Sequence, residues 1–345
     1  MLQHHEIIKI RPGSTDFGVS VIICCYNSVL LIERTLEYVR KQLIPDDFTI
    51  EVVIVDNASS DDTLEVAKAW WNTQPYSNGF ILKTLEELRQ GLIYARLAGA
   101  KNSQFPILLY CDDDNFLDKD YILTAYQIMK DHPEVGACGG KGRPIFETSE
   151  IPDWFERHQK SYAVGAQYVN EGLVNGYELY GAGLVIRREI ITTLSENNYK
   201  FLTTGRKGKL LSAGDDHEIT MLSVLMGYRL WYSESLTFQH FISGEKLSRN
   251  FLKHLYKGFG MTLARLTPLR LVLSGQHQTY RNTFFYQLLR SVGLCLKDLL
   301  RWEHPDRFIY FLGNIRRIKG MIMFSARPPH YPWVHYKLRS SLVEV

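Results

Sequence analysis

Three adjacent acids, Asp112, Asp113 and Asp114, end an apolar run that begins at Ile107. Neighbouring carboxylates repel one another and raise each other's pKa, so a bound cation would stabilise them, and a hydrated divalent ion is the simplest one. On an extended strand Asp112 and Asp114 would share a face, while Asp113 would point away from it. The alternative is a solvated turn whose acids cap the helix that follows. The triplet therefore predicts either a metal site or a capped turn.

Two further acidic positions stand beside predicted secondary structure. Asp56 follows a β-branched run at 50–55, and the pair Asp215 and Asp216 precedes a helical pattern at 219–226. A carboxylate at the start of a helix can cap backbone N–H groups, or it can accept a proton as a general base. Both roles stay open for the pair on spacing alone.

The elements that must position these acids alternate between strands and helices. Apolar runs at 19–25, 50–55 and 107–111 have the composition of buried parallel strands, and a helical pattern follows each one. This order implies right-handed crossovers and an α/β fold with a mostly parallel sheet flanked by helices. Ligands of such sheets collect at the carboxyl ends of the strands. Three polar residues fall at these ends: Asn27, Asp56 and Asp112.

Composition narrows the class of protein. Hydrophobic residues make up 45% of the 345 residues, which is typical of a globular chain. No apolar run reaches the roughly 18 residues that a membrane span needs, and residues 1–11 lack the apolar core of a signal peptide. The five cysteines show no C-x-x-C spacing, as expected for reduced thiols. We therefore expect a cytoplasmic protein, with a peripheral position at the inner face of the cell membrane as the alternative.

The C-terminal part of the chain differs from the rest in charge. Residues 251–345 carry 15 Lys and Arg against 4 Asp and Glu, whereas residues 1–250 carry 25 against 33. We expect a division into a domain at 1–245 and a basic, aromatic-rich helical region at 246–345. That region is either a cap packed on the first domain or a face that meets an anionic membrane or a second copy in a homodimer. No nucleic-acid-binding module is recognised, so nucleic acid is not an expected partner.

Six motifs occur in an order that resembles one family. They are V-S-V-I-I-C-C-Y-N from Val19, V-I-V-D-N-A-S-S-D-D-T from Val53, G-L-I-Y-A-R from Gly91, L-L-Y-C-D-D-D-N from Leu108, G-A-G-L-V-I-R-R-E from Gly181 and A-G-D-D-H-E from Ala213. Their order and spacing, up to about His240, closely resemble the family 2 glycosyltransferases of the bacterial polysaccharide type. The resemblance implies the GT-A fold, a nucleotide-sugar donor and transfer with inversion.

For the nucleotide, the resemblance implies a set of contacts at the first strands. Asp56 resembles the acid that hydrogen-bonds the donor base, and Arg96 stands where the family has an arginine near the nucleotide. The short loop of Cys25, Tyr26 and Asn27 would frame the base. A UDP-sugar is the expected donor.

For the metal, the resemblance implies that Asp112 and Asp114 form the D-x-D motif of the family. Asp114 would bind a Mg²⁺ or Mn²⁺ that the diphosphate also holds, and Asp112 would approach the ribose or the metal. Asp113 would serve the turn beside the donor. His240 resembles a C-terminal histidine that supplies another metal ligand in some GT-A enzymes, and a structural histidine is the alternative.

The resemblance also implies a catalytic base. Inverting transfer needs a base because the attacking hydroxyl must lose its proton as bonding to the anomeric carbon changes. The family places this base in a Glu-Asp pair at a helix start. We assign it to Asp216, and Asp215, which replaces the usual glutamate, would orient the acceptor or its neighbour.

The predicted function is metal-dependent inverting transfer to a hydroxyl of a glycan or lipid-linked glycan, as in cell-surface polysaccharide synthesis. An inactive nucleotide-sugar-binding subunit and a sugar nucleotidyltransferase are the alternatives. The family's common V-D-D-G-S is V-D-N-A-S here, which leaves the donor sugar open. Trp154 and Phe155 could form an acceptor platform or a core aromatic cluster.

Overall fold

The computed structural model describes residues 17–75, 77, 79–206, 213–274, 280–301 and 306–325. Its strands are β1 (Gly18–Cys25), β2 (Thr49–Asp56), β3 (Phe80–Glu86), β4 (Ile107–Asp112), β5 (Asn115–Leu117), β6 (Val135–Phe146), β7 (Gly172–Val174), β8 (Leu184–Arg187) and β9 (Arg229–Ile242). Its helices are α1 (Ile32–Arg40), α2 (Thr63–Thr73), α3 (Leu92–Asn102), α4 (Tyr121–Asp131), α5 (Phe155–His158), α6 (Arg188–Glu196), α7 (Asp215–Leu225), α8 (Arg249–Leu273), α9 (Tyr280–Leu300) and α10 (Arg307–Ser325). Two short 3₁₀ turns lie at Gln159–Tyr162 and Gly244–Leu247.

These strands join one sheet in the order β3-β2-β1-β4-β8-β6-β9-β5, and β7 pairs with β9. The part β3-β2-β1-β4 is parallel, which confirms the predicted α/β sheet with flanking helices. Beyond β4 the sheet is mixed, because β8 is antiparallel to both of its neighbours while β6 and β9 run parallel. The parallel part therefore supplies the edge at which a ligand of such a sheet would collect.

The central strands are buried on both faces, which explains their continuous apolar runs. All eight residues of β1 are buried. One face of the sheet packs against α1 and α4 through residues such as Leu36 and Tyr121. The other face packs against α3, α6 and α7 through residues such as Ile93, Ile190 and Ile219. Two layers of helices thus fix the strand ends in place.

The C-terminal helices α8 and α10 pack tightly against each other. A Cβ atom on Gly260 of α8 would lie 2.0 Å from the backbone oxygen of Gly313 on α10, so this close approach requires glycine. A third apolar cluster joins α8 and α10 to the buried side chains of Trp154 and Phe155. Trp154 and Phe155 therefore form a core aromatic cluster and not an acceptor platform. No helix among the described residues is long and apolar enough to cross a membrane.

One helix differs from its predicted bounds in a way that affects the site. Helix α7 begins at Asp215 and not near residue 219, because Gly214 with φ 102° turns the chain directly into the helix. The acidic pair therefore forms the first turn of α7. Strand β9 runs without a break from residue 229 to residue 242, and the turn at 244–247 follows it. The expected domain division at 245 stays a prediction.

Candidate active site

The register of the parallel strands brings the predicted polar residues to one edge of the sheet. Cys25 at the end of β1 pairs with Asp56 on β2, and Cys24 pairs with Asp112 on β4. Since neighbouring strands lie about 4.8 Å apart, the two acids stand on either side of β1, two strands from each other. A ligand laid across the end of β1 would reach both.

The loops after β1 and β2 are tied together by Asn27. Its backbone adopts φ 54°, and its side-chain oxygen accepts hydrogen bonds from the backbone N–H (2.8 Å) and hydroxyl (3.2 Å) of Ser60. Next to this tie, Asp56 Oδ2 accepts from the Ser59 N–H at 3.2 Å. Asp56 Oδ1 is buried and has no hydrogen-bond partner among the described residues. Because an unpaired buried oxygen is costly, Asp56 offers an acceptor that a ligand could satisfy.

Asn57 positions the loop that leads into α3, and the sequence analysis did not single it out. Its side-chain nitrogen donates to the backbone oxygens of Glu87 and Arg89, both at 2.9 Å. Its side-chain oxygen accepts from the N–H of Gly91 at 2.8 Å. The only signal in the sequence is an amide where the family commonly has a second aspartate. An amide can both donate and accept here, which a carboxylate cannot do.

Asp112 ends β4, Asp113 and Asp114 form the turn between β4 and β5, and the three acids reach different partners. Asp113 accepts a hydrogen bond from the Ser28 hydroxyl, and burial together with the charge of Asp114 raises the pKa of Asp113 to about 7. Asp112 Oδ1 lies 3.6 Å from Arg96 Nη2. Asp114 turns instead toward β9. The expected shared face of Asp112 and Asp114 is not formed, because the extended strand ends at Asp112.

Asp114 is 6% exposed and is surrounded by cationic and polar groups. Lys246 Nζ lies 2.6 Å from Asp114 Oδ2, and His240 Nε2 lies 3.4 Å from the same oxygen. His240 reaches it because Asn115 of β5 pairs with His240 of β9. Burial alone would raise the pKa of Asp114, but Lys246 and His240 hold it well below its usual value. Lys246 was missed by the sequence analysis, since nothing in its neighbourhood indicates a contact 132 positions away.

Arg96 links Asp112 at the end of β4 to the acidic pair on α7. Its side chain is 2% exposed, and Nη1 donates to Asp215 Oδ2 at 2.7 Å. Burial lowers the pKa of Arg96, but Asp215 and Asp112 together raise it above its ordinary value. The guanidinium also lies over the ring of Tyr110, 5.2 Å from its centroid. Arg96 is therefore a fixed cation between Asp112 and Asp215.

The two acids of the pair have opposite environments. Asp215 is 3% exposed, and burial raises its pKa although Arg96 opposes the effect. Asp216 Oδ2 accepts from the Gly181 N–H at 2.7 Å, and Oδ1 accepts from the His217 N–H at 2.8 Å. Burial would raise the pKa of Asp216, but His217, Arg96 and these two N–H groups lower it below its ordinary value. Asp216 is therefore ionised at neutral pH, and unlike Asp215 it is held by backbone N–H groups and not by a direct pair with Arg96.

One cavity of about 930 Å³ connects these groups. Its walls include nearly all of the predicted site residues: Cys25, Tyr26, Asn27, Arg96, Asp112, Asp113, Asp114, Asp215, Asp216 and His240. Within the described part of the chain, Asp56 is not one of its wall residues. The C-terminal helices add a wall that the sequence analysis did not predict, formed by Phe251, Tyr256, Phe259, Arg270 and Tyr310. The cavity thus extends from the strand ends to an aromatic region between α8 and α10.

The residues around Asp114 fit a divalent ion only in part. Asp114 and His240 offer an oxygen and a nitrogen of the kinds that Mn²⁺ accepts, and Mg²⁺ commonly takes one or two carboxylates with phosphate oxygens completing its shell. No group of three or more His, Cys, Asp or Glu side chains suited to a metal occurs in the described ranges. Two protein ligands plus a diphosphate therefore fit, provided that Lys246 leaves the carboxylate.

Similarity to known proteins covers more than half of the chain. A family model described as glycosyl transferase family 2 matches residues 20–203, more than half of the chain. Glycosyltransferase AglE of Haloferax volcanii is 38% identical over 96 residues, which cover 28% of this chain and 30% of AglE. The poly(ribitol-phosphate) beta-N-acetylglucosaminyltransferase TarS of Staphylococcus aureus is 30% identical over 115 residues, which cover 33% of this chain and 19% of TarS. The matched segment thus spans less than a third of either relative.

Among solved structures, the mannosyltransferase PcManGT from Pyrobaculum calidifontis, in complex with GDP-Man and Mn²⁺, is similar in fold. The TM-score is 0.54 at 18% identity, and the match covers 93% of this chain and 91% of PcManGT. The mixed sheet with its flanking helices is the GT-A fold. The chain belongs to glycosyltransferase family 2.

Proposed function

We propose that the protein transfers a sugar from a nucleotide-diphosphate sugar, with inversion, to a hydroxyl of a glycan or lipid-linked glycan. The observation that carries the proposal is the shared cavity, in which an ionised Asp216 and the acids of the β4–β5 turn line the same space. An inverting transfer needs both a base for the acceptor and a place for the departing diphosphate. Similarity to sugar transferases supports the same reaction class.

The donor would lie across the end of β1. The unpaired Oδ1 of Asp56 is suited to accept a hydrogen bond from the base, with Tyr26 and Asn27 framing it. The ribose would lie near Asp112, and Asp113 would keep the turn in shape through Ser28. A UDP-sugar is our first candidate for the donor.

The diphosphate would lie beside Asp114. Asp114 and His240 are the residues that would hold a Mn²⁺ or Mg²⁺, with oxygens of the diphosphate as the other ligands. When bound, the ion neutralises the charge that develops on the departing nucleoside diphosphate. PcManGT was solved with GDP-Man and Mn²⁺, which agrees with a metal-assisted donor site.

Asp216 would take the proton from the acceptor hydroxyl. Its position is set by the Gly181 N–H, and its low pKa keeps it available as a base at neutral pH. Asp215 is occupied by Arg96, so we assign it to positioning and not to proton transfer. The aromatic part of the cavity, with Tyr256 and Phe259, would receive the acceptor, because sugar rings and prenyl chains both pack on aromatic side chains.

One face of α9 supports a lipid-linked acceptor and a peripheral position at the inner face of the membrane. Apolar side chains recur on this face and are exposed: Phe285, Leu289, Val292, Leu296 and Leu299. The exposed charges described on α9 are both basic, Arg290 and Lys297, and the exposed Arg301 follows the helix, whereas Asp298 is buried against α10. Two copies of this face would bring like charges together, so charge complementarity favours an anionic lipid surface over a homodimer.

A thermal-shift panel tests the donor site. UDP, GDP, dTDP and CDP, each with and without Mn²⁺, should raise the melting temperature selectively, because a ligand that binds only the native state stabilises it. If no nucleotide raises it under either condition, the donor proposal is wrong.

Asp216→Asn separates an enzyme from an inactive nucleotide-binding subunit. Loss of the base should lower the transfer rate by about 10²- to 10⁴-fold, while the nucleotide-induced thermal shift stays unchanged. If the transfer rate is unchanged, Asp216 is not the base. Release of pyrophosphate from a nucleoside triphosphate and a sugar phosphate would instead indicate a nucleotidyltransferase.

A further inference from the structure

Lys246 occupies the oxygen that the proposed metal would need. Its Nζ lies 2.6 Å from Asp114 Oδ2, where His240 Nε2 also approaches to 3.4 Å. Asp114 Oδ1 accepts from the side chain of Asn115 at 3.2 Å. Both oxygens of Asp114 are therefore engaged by the protein's own groups. A divalent ion bound at about 2.1 Å from the same oxygen would place two cations in contact, so binding requires the ammonium to move.

The backbone around Lys246 is fixed, but the end of its side chain has room to move. Its N–H donates to the Ser243 oxygen at 3.0 Å, and its carbonyl accepts from the Tyr162 hydroxyl at 2.9 Å. The ammonium is carried on a flexible four-carbon stem and lines the same cavity as Asp112, Asp113 and Asp114. An ammonium displaced from Asp114 would therefore stay in the space assigned to the diphosphate.

The charges explain why an exchange would be favourable. A buried carboxylate without a counterion is strongly destabilising, so Asp114 needs a cation before the donor arrives. The metal ion is positive and the diphosphate is negative, so the metal ion can pair with Asp114 while the Lys246 ammonium pairs with the diphosphate. Asp114 and Lys246 then each have a partner of opposite charge both before and after the donor binds.

We propose that Lys246 is an exchange cation: it neutralises Asp114 in the free protein, yields this carboxylate to the metal, and then contacts the diphosphate of the donor. This inference rests on the proposed function. It adds a diphosphate-binding residue from the turn 244–247, beyond the acids of the β4–β5 turn.

The test is Lys246→Met, with two affinities measured by calorimetry. Mn²⁺ alone should bind about tenfold more tightly or better, because the ammonium that competes with it for Asp114 Oδ2 is gone. UDP at saturating Mn²⁺ should bind about tenfold more weakly or worse, because a charge-assisted contact is lost. The two changes have opposite signs, whereas a residue that merely supports the fold would weaken both.

Lys141→Met is the matched control, since Lys141 lies 3.3 Å from Glu234 at the surface and is not a wall residue of the cavity among those described. It should change neither affinity. Lys246→Gln serves as a second variant if the Met variant melts early, and the same two signs are expected.

Asp114→Asn distinguishes a failure of the proposed exchange from a failure of the proposed metal site. If this variant loses Mn²⁺ binding while Lys246→Met leaves it unchanged or weakens it, the exchange is wrong and the metal site stands. If Asp114→Asn keeps full Mn²⁺ affinity, the metal site of the proposed function is wrong, and the exchange falls with it.

Discussion

Asp216 shows at the scale of a residue how a largely buried acid stays ionised. Two backbone N–H groups donate to its carboxylate, one from Gly181 and one from the next residue in α7. Arg96 adds a positive charge nearby without pairing directly with Asp216. The direct ion pair with Arg96 is formed by the neighbouring Asp215, which agrees with the role of base that we propose for Asp216.

Gly181→Ala tests this arrangement. A Cβ atom at 181 would lie 2.5 Å from Arg96 Nη2 and 3.0 Å from the Asp216 Cβ, so one or both side chains must shift. Because misplacing a catalytic group by about 1 Å can cost 10²-fold, we expect transfer to fall by about one to two orders of magnitude. The nucleotide-induced thermal shift should be retained. The control is Gly293→Ala, whose Cβ would meet nothing within 4 Å. Equal rates for the two variants would contradict the role given to Gly181.

At the scale of elements, α10 is tied to the short helix α5 by a polar contact as well as by the aromatic cluster. Asp306, just before α10, accepts from Arg157 Nε at 2.7 Å, and its other oxygen lies 3.3 Å from His158 Nε2. His158 is itself buried, and its Nδ1 lies 2.8 Å from the Tyr256 hydroxyl of α8. Asp306 thus ties α5 to α10, and His158 ties α5 to α8.

Asp306→Asn should destabilise the protein by about 2 kcal/mol at neutral pH, the order expected for a lost charge-assisted hydrogen bond. Burial would raise the pKa of Asp306, but Arg157 and His158 lower it below its ordinary value. Its stabilising contribution is therefore complete above the unfolded-state pKa and is lost as the pH falls through the lower, folded-state pKa. Urea unfolding at several pH values should show the difference between variant and wild type shrinking toward acid. Asp153→Asn, at an exposed position, is the control. A difference independent of pH would contradict the ion pair.

The strands and most helices could be predicted because their signals are local. The run at 19–25 is apolar on both faces, and such a run has few alternatives to a buried parallel strand. The site was harder to predict from the sequence, because its residues are brought together by the register of the strands and by packing between distant parts of the chain. His240 approaches Asp114 only because β5 pairs with β9, and Lys246 follows from the turn after β9. The aromatic wall from α8 and α10 could not be predicted from helical periodicity, which shows that a face is apolar but not what it packs against.

At the scale of the whole molecule, the C-terminal helices form two different surfaces, one that lines the cavity and one that is exposed to solvent. The inner sides of α8 and α10 line the cavity, and α9, packed on α10, carries the exposed apolar face with its basic flank. If α9 meets a membrane, the cavity would be held within a few helix diameters of the lipid surface. A lipid-linked acceptor would then need to rise only a short distance to reach Asp216.

Replacing Leu289 and Leu296 with Glu should abolish this docking. Each side chain is more than half exposed, so the fold should tolerate the changes, while each lost apolar contact should lower partitioning by about tenfold or more. Co-sedimentation with vesicles of phosphatidylcholine and phosphatidylglycerol measures the effect, and salt should weaken wild-type binding. Val169→Glu, at a position 95% exposed and outside the helices, is the control. Unchanged sedimentation, or a dimer in ultracentrifugation that the double variant dissociates, would contradict the membrane assignment.

The position of Arg96 has a consequence for the order in which substrates act. One guanidinium contacts both Asp112, at the proposed donor site, and Asp215, next to the proposed base Asp216. If a bound donor moves the Arg96 side chain toward Asp112, the contact between Arg96 and Asp215 of α7 weakens. The acceptor would then bind to a site with a different arrangement of charges. By thermodynamic linkage, the factor by which the donor changes acceptor affinity must equal the factor by which the acceptor changes donor affinity. Arg96 would thus make the two substrates cooperative, although they touch different carboxylates.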